Sequence, residues 1–353
     1  MNRSDKMVEF LKEKGLDYFV SICSEGSNKT VRYFSNFSGD TGAVVIGENK
    51  RFLVVDSRFY TQASQESNFE MVKVGNSSLV DKISEIVKGK KIGVEESKMF
   101  YAWYKTLNSK VSVIENMEEE VAQLRASKDE KEIKSVKKAI EVAQNALNKT
   151  LEKFHVGMTE REFAAILEFE MVMGGAQKPS FDTIVASGYR GALPHGLASD
   201  KKIENGEMVV VDFGALVDGY CSDLTRTFAV GNVPQKAKDA YNAVLEAQMT
   251  AMKAAKSGMT GKEIDALARD VLEKAGLGMY FTHSLGHSLG MDVHEPPFLS
   301  PRYEKKIPSH AIVTFEPGVY IPSEFGIRIE DDVLLTPDGH DCLSDFKKEF
   351  TQI

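Results

Sequence analysis

From Met1 to about Ile114, short apolar runs alternate with helical spacing. Tyr18 to Cys23, Gly42 to Ile46, Phe52 to Val55 and Lys91 to Val94 have strand length, and Leu79 to Val87 has a helical pattern, so this segment reads as an α/β domain. The period then changes. From Met117 to Phe154, Ile133, Val136, Ile140, Ala143 and Leu147 fall on one stripe with charge elsewhere, which predicts one or two long helices. A chain of 353 residues exceeds one ordinary domain. The junction is placed near Arg125, giving an N-terminal domain over 1–124 and a C-terminal domain over 125–353.

The C-terminal part carries an internal echo. Asn145 to Phe154 leads to Gly157-Met158-Thr159-Glu160-Arg161-Glu162 and a periodic run ending at Gly174-Gly175. Later, Tyr241 to Lys256 leads to Gly258-Met259-Thr260-Gly261-Lys262-Glu263 and a periodic run ending at Gly276. Thr159 with Glu162, and Thr260 with Glu263, have capping-box spacing. Two ordinary helix starts would explain that much. The residues beyond each helix favour an echo: His195 and then strands bearing Asp212 and Asp223, against His287, His294 and then strands bearing Glu316 and Glu330. Two similar halves with acidic strands predict a pseudo-symmetric domain with its site between them.

Glu207 to Leu216 and Tyr220 to Val230 are β-rich, and Asp218-Gly219 between them is a hairpin signal. With a two-residue turn there, Val217 faces Tyr220, Asp212 faces Thr225, and Asp223 lies diagonally across on the same face, roughly 7–8 Å away at Cα. A three-residue turn would put the two aspartates on opposite faces. Buried carboxylates so close repel unless they are protonated, paired with cations or bound to metal. An aspartate at a turn is ordinarily exposed and inert, and Asp218 is read that way; Asp212 ends the apolar strand Met208 to Val211, where a carboxylate is seldom free. In the second half, Ala311 to Glu316 is a strand stopped by Pro317-Gly318, and Gly326 to Leu335 reads as one more strand. Arg328 and Glu330 share a face, opposite Ile327, Ile329 and Asp331. They form either a surface charge pair or a polar face gathered at Glu316, and the flanking apolar residues favour the second. Asp331 and Asp332 read as surface or turn carboxylates.

His283, His287 and His294 cluster beside a glycine-rich path. The spacing of four between the first two allows one helical face, but Gly286 and Gly290 point to an extended or looped backbone. The segment is not HExxH. His310, after Pro308-Ser309, is incidental. Oxygen-rich ligands with one imidazole suit Mn²⁺, Co²⁺, Fe²⁺ or Zn²⁺.

Composition narrows the partners. Net charge is −8 from 44 basic and 52 acidic residues, and the two signs interleave, as in Lys128-Asp129-Glu130-Lys131-Glu132, which argues against nucleic acid. Cys23, Cys221 and Cys342 lack CxxC spacing, so neither a disulfide framework nor a zinc knuckle is expected, and a reducing cytoplasm fits best. The amphipathic N-terminus lacks the continuous apolar run of a secretory signal, and no run has membrane-spanning length.

LPHG at 193–196, VDFG at 211–214, SDLTRT at 222–227, HSLGHSLG at 283–290, HEPP at 294–297, FEPG at 315–318 and RIED at 328–331 together resemble the pita-bread metallopeptidases. That family includes methionine aminopeptidase, Xaa-Pro aminopeptidase and Xaa-Pro dipeptidase (prolidase). The resemblance implies a creatinase-like N-terminal α/β domain and a pseudo-twofold α+β catalytic domain holding two divalent ions, with Mn²⁺ or Co²⁺ favoured. Carried over by residue, Asp212 would bind one ion, His287 and Glu316 the other, and Asp223 and Glu330 both. Glu316 also matches the general-base position. His195, His283, His294 and Arg328 match positions that bind substrate, stabilise the intermediate or shuttle protons in proline-specific members. Arg32 to Gly39 (RYFSNFSG) and Val55 to Phe59 (VDSRF), with Gln62-Ala63, resemble the N-terminal domain of short bacterial Xaa-Pro aminopeptidases, which form homodimers with that domain near the partner's site.

The resemblance therefore implies an exopeptidase releasing the residue before proline from peptides. The alternative is a prolidase confined to dipeptides. A third reading is a metal-free binding module of the same fold, but those lines lose ligand carboxylates or the histidine, and all five stand here. Ser284 and Ser288 depart from the family's frequent glycines, and His310 from a usually small residue.

Overall fold

The computed structural model describes residues 2–353, which divide into two compact units between Arg125 and Ala126.

The first unit is built on one mixed six-stranded sheet. Its strands are β1 (Tyr18–Cys23), β2 (Gly42–Gly47), β3 (Lys50–Val55), β4 (Glu70–Lys73), β5 (Lys91–Val94) and β6 (Val113–Asn116), in the order β4-β3-β2-β1-β5-β6. β2 is buried along its whole length, as expected of a continuous apolar run at the centre of a sheet covered on both faces. Val20, Ile22, Val45, Val54, Ile83, Ile92 and Leu107 form the core on one face. The amphipathic N-terminus is the helix Arg3–Lys14, capped by Asn2 and ended at Gly15 in the left-handed region, where glycine carries no Cβ penalty. Asn36, within the RYFSNFSG run, ends the helix Thr30–Ser35 in the same way.

The long charged stretch becomes two helices, Glu118–Ala126 at the end of the first unit and Glu130–Leu151 in the second, the latter started by an Asp129–Glu132 capping box. The echo is present in three dimensions. Thr159 and Thr260 each cap a helix, Glu160–Met173 and Gly261–Lys274, through reciprocal capping boxes. Gly157 N–H donates to Ile203 O at 2.9 Å and Gly258 N–H to Ile307 O at 2.8 Å, and isolated bridges join Thr159 to Lys202 and Thr260 to Lys306. Each half thus repeats the same closure between its helix start and the strand segment beyond. Helix Gln235–Ala254 places Ala237, Ala240, Ala247 and Ala251 in the core with Tyr241, Val244, Val313, Phe315, Ile327 and Ile329. Such small residues let a helix lie close on a sheet, and the volume is filled from the strands.

The hairpin parity is resolved. Asp218 (φ 53°) and Gly219 (φ 82°) form a two-residue turn, Val217 pairs with Tyr220, and Asp212 pairs with Thr225.

The second half differs from expectation in two ways. Gly326 to Leu335 is not one strand. Phe325–Arg328 pairs with Gly318–Ile321, while Asp331–Thr336 pairs with Ile312–Phe315, and both ladders keep a common register across the break. Pro317 falls opposite Ile329 in that register and has no N–H to continue the ladder. At the break the backbone turns to the other half instead: Glu330 N–H donates to Thr225 O at 3.0 Å, and Arg328 O accepts from Thr227 Oγ1 at 2.8 Å.

The second correction concerns Asp331 and Asp332, which are fully buried rather than at a surface or turn. Asp331 accepts from Arg226, Gln248, Ser344 and Lys348, and those cations hold its carboxyl below the usual range despite burial. Asp332 accepts from Asp223 N–H at 3.1 Å, and burial pushes its carboxyl well above the usual range. None of these partners lies within the strand itself: Ser344 and Lys348 are 13 and 17 residues from Asp331, and the others about a hundred residues away.

Candidate metal centre

Asp212 is the penultimate residue of strand Met208–Phe213, and Asp223 immediately precedes strand Leu224–Ala229. Glu316 stands where Pro317 stops the strand Ile312–Phe315, and Glu330 lies in the break between Arg328 and Asp331. His287 is central in the short strand Gly286–Ser288, so the extended reading of that segment is correct. Gly286 is required there, because a Cβ would lie 2.0 Å from Thr314 O.

These placements bring the acidic strands of both halves together. Ligand atoms of Asp212, Asp223 and Glu330 lie within 4.8 Å of one another, as do those of His287, Glu316 and Glu330. Glu330 is common to both groups. A third group, Asp223, His287 and His294, meets the same limit, with the two imidazole rings 4.3 Å apart. His287 Nε2 is 3.3 Å from Glu316 and 3.6 Å from Asp223.

The electrostatics of the cluster demand positive charge. Burial first, and then Glu330, Asp212 and Glu316, hold the Asp223 carboxyl well above its ordinary range. Burial, Glu316 and Asp212 do the same to Glu330. Burial also raises Asp212, and the Arg328 guanidinium opposes it. Glu316 differs: burial pushes it up, but the hydrogen bond and charge of His287 outweigh this and hold it at about 2. Asp212 Oδ1 is buried and has no hydrogen-bond partner. An orphaned carboxylate oxygen among acids that repel one another fits a divalent cation, and the oxygen-rich set with one or two imidazoles fits a hard or borderline ion.

A second layer fixes these groups. Arg328, 3% exposed, donates to Asp212 Oδ2 at 2.5 Å, Tyr320 Oη at 2.7 Å, Thr225 Oγ1 at 3.1 Å and Pro194 O at 3.3 Å. Thr225 Oγ1 in turn donates to Glu330 at 2.6 Å. His283 Nε2 lies 2.9 Å from Tyr320 Oη, and burial lowers the pKa of its imidazole. Tyr320 and the bridging role of Thr225 were not evident from sequence. The signal for Tyr320 was its place two residues after Gly318, which pairs with Arg328.

The cluster forms one wall of a cavity of about 760 Å³, large enough for a peptide and typical of ligand sites. His195, His283, His294 and Arg328 line it, as do the apolar residues Phe181, Leu197 and Phe298. His195 is solvent-exposed in the loop after residues Gly188–Ala192. His310 is exposed and away from this lining, at φ 63°. Neither Ser284 nor Ser288 adopts positive φ, so these departures from glycine impose no strain. Among the described residues no helix is long and apolar enough to cross a membrane.

Known proteins resemble the chain along both of its units. The Creatinase/Prolidase N-terminal domain model matches residues 3–127. A Pyrococcus horikoshii protein named Xaa-Pro dipeptidase is 40% identical, covering 98% of this chain and 97% of its own. The structure of an X-Pro aminopeptidase from Thermotoga maritima superposes with a TM-score of 0.92 at 39% identity, covering 100% of both chains. That of an Xaa-Pro dipeptidase from Bacillus anthracis gives 0.94 at 38%, covering 99% of both. With a match over residues 134–337 that spans every acidic and imidazole group of the cluster, the chain belongs to metallopeptidase family M24 and is a metallo-exopeptidase.

Proposed function

We propose that this protein hydrolyses the peptide bond before a proline, releasing the N-terminal residue of short peptides, with Asp212, Asp223, His287, Glu316 and Glu330 holding two divalent cations. The observation that carries the proposal is the pair of ligand groups sharing Glu330, in a cleft that also presents Arg328 and three further histidines. Bound cations supply Lewis acidity and lower the pKa of a coordinated water. Glu316, kept ionised beside His287, would serve as the general base toward an attacking water. Arg328 and His283 fix the Tyr320 hydroxyl between them, and His195 and His294 supply polar contacts on the remaining walls. Mn²⁺ and Co²⁺ are the ions to test first, then Zn²⁺ and Fe²⁺. A homodimer in the cytoplasm completes the proposal, and light scattering checks its mass.

The length of the preferred peptide has two readings. A cleft of about 760 Å³ with the exposed apolar residues Leu197 and Phe298 in its lining leaves room beyond a dipeptide, which supports an aminopeptidase. The name of the Pyrococcus relative supports a dipeptidase. Turnover of Ala-Pro against Ala-Pro-Ala with Mn²⁺ separates them. We expect the tripeptide to be cleaved at least as fast; turnover confined to the dipeptide establishes the second reading, and cleavage of neither overturns the proposal.

Metal affinity is expected to depend on pH. Asp223 and Glu330 have raised pKa values in the folded, metal-free protein, so that state loses stability as pH rises from the ordinary carboxylate range toward the raised values. A cation must displace the same protons, so it binds more tightly, and stabilises more, over that window. The rise in Tm on adding excess Mn²⁺ should therefore grow between about pH 5 and pH 7. A pH-independent increment would contradict the assignment of these two carboxylates.

A further inference from the structure

Each half of the second unit contains a buried carboxylate outside the ligand cluster. In the first half it is Glu160, fully buried at the start of helix Glu160–Met173. Its Oε1 accepts from Ser187 N–H at 2.8 Å and Ser187 Oγ at 2.9 Å. Its Oε2 accepts from Arg190 Nε at 3.0 Å, Ser199 N–H at 3.1 Å and Ser199 Oγ at 2.6 Å. One carboxylate thus closes both ends of the segment from Ser187 to Ser199, and Arg190 ties its interior by donating to Leu197 O. That segment carries His195.

In the second half the corresponding group is Asp265, 1% exposed in helix Gly261–Lys274. It accepts from Arg269 at 2.8 and 3.1 Å and from Leu285 N–H at 2.9 Å, and Arg269 in turn donates to Phe281 O at 3.1 Å and His283 O at 2.9 Å. The segment held here carries His283.

The two acids are not at equivalent positions in the echo, and the reason is steric. Glu160 directly follows its capping threonine. Its counterpart, Gly261, has no room for a side chain, because a Cβ would lie 2.0 Å from Phe298 O. Asp265 lies four residues further on, one turn along the same helical face. Carboxylate, arginine and anchored backbone are therefore preserved although the sequence position is not. A buried carboxylate given three donors (Asp265) or five (Glu160) costs too much desolvation to serve as generic core filling.

We propose that Glu160 and Asp265 are paired positioning residues that hold the His195 and His283 loops against the cleft, one in each half. The roles of the histidines rest on the Xaa-Pro peptidase reading; the clamps themselves rest on the hydrogen bonds that Glu160 and Asp265 accept. Because neither carboxylate belongs to the ligand groups, the clamps act on catalysis without acting on metal affinity.

Glu160→Gln and Asp265→Asn test this in the full-length protein. Amide hydrogen exchange should accelerate in residues 187–199 for the first variant only and in residues 281–285 for the second only. Turnover of Ala-Pro-Ala should fall about tenfold to a hundredfold, the scale of small misplacements of reacting groups, with Mn²⁺ affinity by calorimetry unchanged. In a double-mutant cycle the Glu160→Gln effect should vanish in a His195→Ala background and persist in a His283→Ala background, with the reverse for Asp265→Asn. Equal effects in both backgrounds, a parallel loss of Mn²⁺ affinity, or unchanged exchange would overturn the proposal. Where a carboxamide variant does not fold, Arg190→Ala and Arg269→Ala open the same clamps from partly exposed positions. If the parent hydrolyses neither Ala-Pro nor Ala-Pro-Ala, the proposed function fails, and segment-specific exchange still decides the clamps.

Discussion

Replacing Glu330 by glutamine is expected to abolish the metal centre while leaving the metal-free protein folded. Glu330 belongs to both main ligand groups, so its loss weakens both at once. Glutamine keeps the shape and one carbonyl acceptor, and Thr225 Oγ1 can still donate to it. It also imitates the protonated carboxyl that burial and the neighbouring acids favour in the metal-free state. The parent loses stability as pH climbs toward the raised folded pKa of Glu330, and the variant lacks that contribution. Its metal-free Tm at pH 7 should therefore equal or exceed the parent's. Peptidase activity should fall by about a thousandfold or more, because metal polarisation supplies several kcal/mol and each 1.4 kcal/mol is about tenfold in rate. Calorimetry with Mn²⁺ and thermal unfolding with and without the ion check the three parts together. A variant that keeps parental Mn²⁺ affinity would remove Glu330 from the ligand set.

Much of the site was legible because its geometry is local. Asp218-Gly219 fixes a two-residue turn, the turn fixes register, and register decides that Asp212 faces Thr225 with Asp223 nearby on the same face. Gly286 and Gly290 correctly argued against a helix for His283 and His287. The echo was visible because both capping boxes are complete within four residues. The hidden features depend on residues remote in sequence. Asp331 is identical in type to a surface aspartate until Arg226, Gln248 and Lys348 are placed around it. The strand break at Ile329 is caused by Pro317 on the opposite strand, so no pattern within Gly326 to Leu335 could show it. Tyr320 reads as an ordinary strand aromatic, and only the pairing of Gly318 with Arg328 brings its hydroxyl to the guanidinium. Glu160 reads from sequence as part of a helix start, but its five donors come from beyond that helix.

Arg328→Met tests how the cluster is held rather than how it binds cations. Methionine fills much of the same volume without charge, so the variant separates packing from hydrogen bonding. It leaves Asp212 Oδ2 without its buried cation, Pro194 O without this donor and the Tyr320 hydroxyl without one of its partners. Breaking one side of a buried ion pair typically costs about 3–5 kcal/mol, so the metal-free variant should show a clearly lower Tm than the parent. Bound cations would restore part of this by neutralising Asp212, so the rise in Tm on adding Mn²⁺ should be larger for the variant than for the parent. Catalysis should not recover with it. Tyr320 and the Pro194 carbonyl both belong to the walls of the cleft, and small errors in such positioning cost about a hundredfold in rate. Arg328→Lys should behave similarly, because a single ammonium cannot reproduce a planar fork that reaches Asp212, Tyr320, Thr225 and Pro194 at once. Steady-state kinetics at saturating Mn²⁺ provide the check: a variant with kcat/KM within a few-fold of the parent would show that Arg328 serves only to balance charge at Asp212.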